Sequence, residues 1–186
     1  MSVMTIVLLA LLAALLAWAV FVFNRLVRLR NQVRTAWADV DVQLIRRHDL
    51  VPQLVAAVQG YAGHESAVLQ AVTELRAQAV ATSSPAQLGA VESALEQALG
   101  RLFALKEAYP DLKASENFMQ LQRDLVEVEE QLQYARRFYN GAVRDHNDAA
   151  QRFPDVIVAR AFGFSDREFF QADAAQRAAP KVELQR

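Results

Sequence analysis

The 186-residue sequence contains no cysteine. That excludes a disulfide scaffold, a thiolate zinc site, a cysteine nucleophile and a thioether lipid anchor. It leaves the redox compartment open, because a chain without thiols is indifferent to it. Net charge is missing too: 20 basic residues against 21 acidic ones leave −1, which argues against a general nucleic-acid binder. Glycine and proline are few, six and five, and no stretch shows the two-residue alternation of a half-buried strand. Aromatics are only 9% although hydrophobic residues reach 53%. The excess is aliphatic and sits at one end, as an organised segment and not as a richer core.

That segment runs from Val3 to Phe23 without a charge, and Thr5 is its only clearly polar side chain. As a helix it spans about 31 Å, close to the roughly 30 Å hydrocarbon core of a bilayer. The competing reading, a cleaved signal peptide, wants a basic residue before a shorter apolar run and a small-x-small site after it. Nothing basic precedes Val3, Ala17-Trp18-Ala19 lies inside the run, and Asn24-Arg25-Leu26 comes directly after it. An uncleaved anchor over residues 1–23 is therefore expected. Arg25, Arg28, Arg30 and Arg34 flank its C-terminal end, and the positive-inside rule then places residues 24–186 in the cytoplasm and the N-terminus outside. The same four arginines are candidate contacts for anionic lipid headgroups, or serve only as topology determinants.

Beyond the anchor the apolar positions keep helical spacing. Leu26, Leu29, Val33, Trp37, Val40 and Leu44, then Val51, Val55 and Val58, form one stripe continuing out of the membrane segment. Pro52 removes a backbone donor and disfavours helix at Val51, which predicts a kink or short break there. A second helix is expected over about His64–Thr82, with Val68, Val72, Leu75 and Ala79 inward. A third should run from a Ser84 cap with Pro85 in its first turn to about Tyr109. Ser115 should cap the longest, from about Glu116 to Gln151, with the stripe Phe118, Leu121, Leu125, Val128, Leu132, Ala135, Tyr139 and Val143. Its outer face is acidic early (Asp124, Glu127, Glu129, Glu130) and basic later (Arg136, Arg137, Arg144), which complements the helix dipole. Phe153-Pro154 ends it, a short apolar piece comes next at 156–164, and the alanine- and glutamine-rich tail after Phe170 reads as weakly ordered. The turns at 61–65 and 109–113 are expected at opposite ends of the bundle if the helices between them have similar length. The fold class is all-α, an antiparallel bundle of long helices on an N-terminal transmembrane helix.

Reactive constellations are missing. His64-Glu65 starts like a zinc-protease helix, but Val68 stands where the second histidine should be. Carboxylate-bridged di-iron sites need Glu-x-x-His pairs, and Ile45, Tyr61 and Val143 precede His48, His64 and His146 at that spacing. There is no glycine-rich phosphate loop and no Gly-x-Ser-x-Gly elbow. Glu127, Glu130 and Asp124 share a helix face that reads as solvated, and Asp39 and Asp41 point to different faces. No catalytic, cofactor-binding or metal-binding residue is expected. The densest polar cluster is Arg46-Arg47-His48-Asp49, just before Pro52. It interrupts the first stripe, since either Arg47 or His48 must fall where an apolar residue belongs. Two readings stay open. In one, Asp49 satisfies donors around the kink and the arginines pair with carboxylates of the long helix, because buried charges need partners. In the other, the cluster recognises a lipid headgroup or a partner protein.

Asn24-Arg25-Leu26-Val27-Arg28-Leu29-Arg30-Asn31, Ala36-Trp37-Ala38-Asp39-Val40-Asp41-Val42-Gln43-Leu44 and Arg46-Arg47-His48-Asp49-Leu50-Val51-Pro52 resemble the LemA family. So do Gly60-Tyr61-Ala62, His64-Glu65, Tyr109-Pro110-Asp111-Leu112-Lys113-Ala114, Asn117-Phe118, Leu121-Gln122, Ala135-Arg136, Tyr139-Asn140, Phe153-Pro154, Gly163-Phe164 and Phe169-Phe170. Ile45 stands where the family usually has lysine, Gln53 where it often has asparagine, and an alanine-rich tail replaces the acidic end. The resemblance implies a bacterial membrane protein with one N-terminal span and a cytoplasmic helical bundle, here over residues 24–170, followed by this chain's own weakly ordered tail at 171–186. It carries no catalytic residues, and one branch resembles a protein needed in magnetosome membrane formation, which hints at membrane organisation. The expectation is a non-enzymatic scaffold or adaptor at the inner face of the membrane, or a self-associating membrane-remodelling protein. The expected partners are membrane lipids, an unidentified membrane or cytoplasmic protein and a second copy of the chain, with no nucleic acid and no cofactor.

Overall fold

The computed structural model describes residues 2–170; the expected weakly ordered tail at 171–186 lies outside them. All regular structure among the described residues is helical, in the order α1 (Val3–Ala62), α2 (Ser66–Ala81), α3 (Pro85–Ala104), a 3₁₀ turn (Leu105–Glu107), α4 (Pro110–Lys113), α5 (Glu116–Gln151) and α6 (Asp155–Ala161). The first part of α1 is long and apolar enough to cross a membrane and is almost wholly exposed. Chain packing divides into two units. One takes the described residues up to Asp39 with Arg137–Arg167, the other Val40–Arg136 with residues 168–170.

In the first unit, Val22 and Leu26 of α1 are buried with Ala149 and Ala150 of α5, Val158 and Ala159 of α6, and Phe164. The Trp37 and Tyr139 rings meet edge to face at 5.1 Å. At the end of α6, Gly163 takes φ +70°, a conformation that costs residues with a Cβ. Phe164 N then donates to Ala159 O and Gly163 N to Arg160 O, a pattern that closes the helix and turns Phe164 back onto Phe23.

The second unit is built on α1, α2, α3 and the first half of α5. Its core joins Val51, Leu54 and Val58 to Leu69 and Val72, to Leu95, Leu99 and Leu102, and to Phe118, Leu121 and Leu125. Side-chain caps explain where two helices start. Gln87 N donates to Ser84 Oγ at 3.5 Å with Pro85 in the first turn of α3, and Phe118 N donates to Ser115 Oγ at 3.4 Å.

Three expectations are corrected. The third helix stops at Ala104 and not near Tyr109, because Ala108 N and Tyr109 N both donate to Leu105 O and Pro110 holds Tyr109 extended. The turns at 61–65 and 109–113 share one end, with Tyr109 Oη donating to Glu65 Oε1 at 3.4 Å. Two helices of similar length separate them, so the chain goes out along α2 and returns along α3.

The third concerns Pro52, where the predicted break is absent: α1 passes through it as helix. A proline there leaves the carbonyl of His48 without its helical donor. Arg76 of α2 supplies the replacement, its Nε donating to His48 O at 2.7 Å. The missing backbone donor is thus replaced from a neighbouring helix, and the ladder needs no break. Arg76→Met should therefore cost about 1–3 kcal/mol, the range for a hydrogen bond to a charged donor whose acceptor is then left unmet. In a Pro52→Ala background the restored amide should remove most of that loss, and thermal unfolding of the four proteins of this cycle measures it.

Candidate functional site

The Arg46-Asp49 cluster sits where the stripe of α1 is broken, between Leu44 and Val51, and its four residues divide by helix face. Arg47 and His48 turn inward and are 1% and 8% exposed; Arg46 and Asp49 turn outward. A second buried charge meets the first. Glu92 of α3 is 0% exposed, with Arg47 donating to its Oε2 at 3.0 Å and His48 Nε2 lying 2.6 Å from its Oε1. The same Arg47 nitrogen lies 3.2 Å from Glu129 Oε2 of α5, and Arg136 NH1 lies 3.9 Å from Glu129 Oε1. The Arg136 guanidinium also stacks over the Phe170 ring at 4.7 Å. Burial pushes the Arg136 guanidinium below its ordinary pKa, and the Glu129 carboxylate opposes that.

The result is a chain of alternating charge, His48–Glu92–Arg47–Glu129–Arg136, through the interior of the second unit. Glu129 and Arg136, both expected on the face of α5 away from its apolar stripe, are instead drawn into this interior chain. Glu92 is not among the residues the sequence singled out, yet a signal was present. Leu88, Glu92, Leu95 and Leu99 succeed one another at four, three and four, and Leu132, Arg136, Tyr139 and Val143 do the same. A charge on an apolar stripe in two different helices marks a buried pair.

Outward, Arg46 and Asp49 line a hollow of about 250 Å³ with Leu50 of α1 and Asp124, Glu127 and Val128 of α5. Val42 and Ile45 are exposed on the same stretch of α1. The wall of this hollow carries three carboxylates and one guanidinium, so it presents a net negative, partly apolar recess.

The four arginines after the apolar segment also differ. Arg25 pairs with the buried Asp155 at 3.1 Å, and Arg30 lies over the Phe164 ring at 5.2 Å. Arg28 and Arg34 are exposed. Among the described residues no three His, Asp or Glu side chains converge as a metal site requires. His146 is fully buried with Nδ1 3.2 Å from Asn147 Oδ1.

Removing one member of the interior chain should leave a stranded charge. Arg47→Met is expected to destabilise the protein by about 3–5 kcal/mol, whereas adding Glu92→Leu to it should recover part of the loss, since apolar replacement of a whole buried pair is tolerated. Circular dichroism melting of the single and double variants in mild detergent tests the sign of that coupling.

The model of the LemA family matches residues 36–184. The chain is 24% identical over 188 residues to the magnetosome protein MamQ 2 of Paramagnetospirillum magneticum, covering 87% of this chain and 69% of that one. It is 26% identical over 158 residues to protein LemA of Metamycoplasma hominis, covering 83% and 71%. It is 22% identical over 179 residues to the magnetosome protein MamQ of Magnetospirillum gryphiswaldense, covering 82% and 66%.

Proposed function

The chain belongs to the LemA family, and on that premise we propose that it is a non-enzymatic, membrane-anchored helical bundle that recruits another protein at the cytoplasmic face of the inner membrane. Val3–Phe23 crosses the bilayer, and the arginines at 25, 28, 30 and 34 keep the helices beyond it in the cytoplasm. The observation that carries this reading is the division of the Arg46-Asp49 cluster. Its reactive-looking half, Arg47 and His48, is consumed by Glu92 inside the bundle, and only the outward half is open to solvent. A recess with carboxylates from Asp49, Asp124 and Glu127 around Leu50 and Val128 suits a segment that offers basic side chains beside an apolar one. Charge complementarity of that kind selects a partner and its orientation more than it adds affinity.

A second reading, self-association that organises the membrane, draws on the relatives named as magnetosome proteins. Exposed Val42 and Ile45 beside the recess serve either reading.

The experiment is gentle detergent extraction of the full-length protein carrying a photocrosslinker in place of Ile45, with size analysis and identification of the crosslinked chain. A stoichiometric foreign protein supports recruitment. Asp124→Lys with Glu127→Lys should then lose it by at least about tenfold, or 1.4 kcal/mol, with helicity and melting unchanged. A complex of this chain alone supports self-association, and crosslinks that survive the charge reversal would remove the recess from either account.

A further inference from the structure

We infer that the corner between α5 and α6 is a membrane-embedded foot, with Phe153, Ile157 and Phe162 seated in the headgroup–acyl boundary of the same bilayer that α1 crosses. The inference rests on the anchored reading above and adds a second lipid contact to it. Its first support is length. The part of α1 that is exposed on all sides runs from Val3 to Ala17, and as helix it measures about 22 Å, short of the roughly 30 Å a span must fill. The turns from Trp18 to Phe23 are needed to complete it. Those turns are covered on one side by protein: Val22 is buried, and Trp18, Ala19 and Phe23 pack against the cluster that includes Val158, Ala159 and Phe164. Whatever covers the last turns of a span lies at their depth.

Register supports the same depth. Trp37 and Tyr139 touch, and α1 and α5 run past each other in opposite directions. Phe153 lies as many residues beyond Tyr139 as Phe23 lies before Trp37, so it arrives at the level of Phe23. The Phe23 ring in turn meets Phe162 at 4.9 Å and Phe164 at 5.7 Å.

The outward side of this corner is apolar. Phe153 is 78% exposed, Phe162 62% and Ile157 58%, an arrangement that water disfavours and that the membrane boundary, where aromatic side chains collect, accommodates. The charges agree. Of the acids near the corner, Asp155 is paired with Arg25 and Asp148 just above it with Arg152, while the exposed Asp166 accepts from Gln151 at the end of α5. Arg28 and Arg160 are exposed, in position for lipid phosphates. Lipid is the occupant because α1 itself delivers this face to the bilayer, so the foot is continuous with the span.

The natural absence of cysteine makes the test direct. Ile157→Cys and Phe162→Cys, with Leu11→Cys in the span and Arg144→Cys higher on α5, are labelled singly with an environment-sensitive fluorophore. Each full-length protein is placed in vesicles of phosphatidylcholine and phosphatidylglycerol. Labels at 157 and 162 should be quenched by shallow nitroxide lipids several-fold more than the label at 144, and shielded from aqueous iodide. Iodide quenching equal to that at 144, with the label at 11 still lipid-quenched, overturns the foot and leaves the anchor standing. Shielding from both quenchers means that protein covers the face, which also overturns it. A label at 11 insensitive to lipid removes the anchor and the foot together.

Discussion

A carboxylate with no exposed surface has to be met by charge from the protein itself, and in the second unit that carboxylate belongs to Glu92. Taking an ion out of water costs several kcal/mol unless partners and hydrogen bonds compensate. Arg47 and His48 of α1 do so from adjacent positions, and because Arg47 is shared with Glu129, α5 is drawn into the same arrangement. One constraint therefore sets the rotation of three helices about their own axes. An apolar seam alone accepts a small rotation or a slip by a turn, whereas a stranded Glu92 does not. The stripes supply the driving force for packing, and the interior ions select which of the available packings is kept.

The same constraint explains what is left on the surface. With Arg47 and His48 facing inward, the helical repeat obliges Arg46 and Asp49 to face outward, onto α5 where Asp124 and Glu127 complete the recess. Buried and exposed halves of one four-residue run are thus two consequences of a single helix phase. Pro52 is tied to the same place: the acceptor it strands on His48 is met by Arg76, so α2 is held to α1 by a bond that a regular helix would not need. His48 therefore serves twice, its ring bonding Glu92 and its carbonyl accepting from Arg76.

In the first unit, different chemistry answers a similar requirement. Arg25 and Arg30 do not simply project toward a membrane surface. One is pinned to Asp155 and the other lies over Phe164, while Arg28 and Arg34 stay exposed. A run of arginines that looks uniform in the chain is thus divided between holding α6 and its closing turn in place and remaining exposed. The positive φ of Gly163 allows Phe164 to return to the helix that Arg25 and Arg30 occupy.

Much of this molecule is written locally. Hydrophobic period, the serines at 84 and 115, and the Phe153-Pro154 stop depend on neighbours within one or two turns, so the all-helical fold, the start and end of α5 and the long apolar segment are legible in the chain alone. The proline at 52 misled because its effect depends on whether a distant donor arrives, and Arg76 is on another helix. The turns at 61–65 and 109–113 required the path of two intervening helices. Glu92 and Arg136 were visible as charges on apolar stripes, but each helix read by itself looks merely imperfect. That these imperfections cancel one another is a property of pairs of helices, because an ion's burial is tolerable only in the presence of its partner. Local patterning is enough to specify the helices and their apolar faces, whereas which charges become interior depends on which helix meets which and at what rotation.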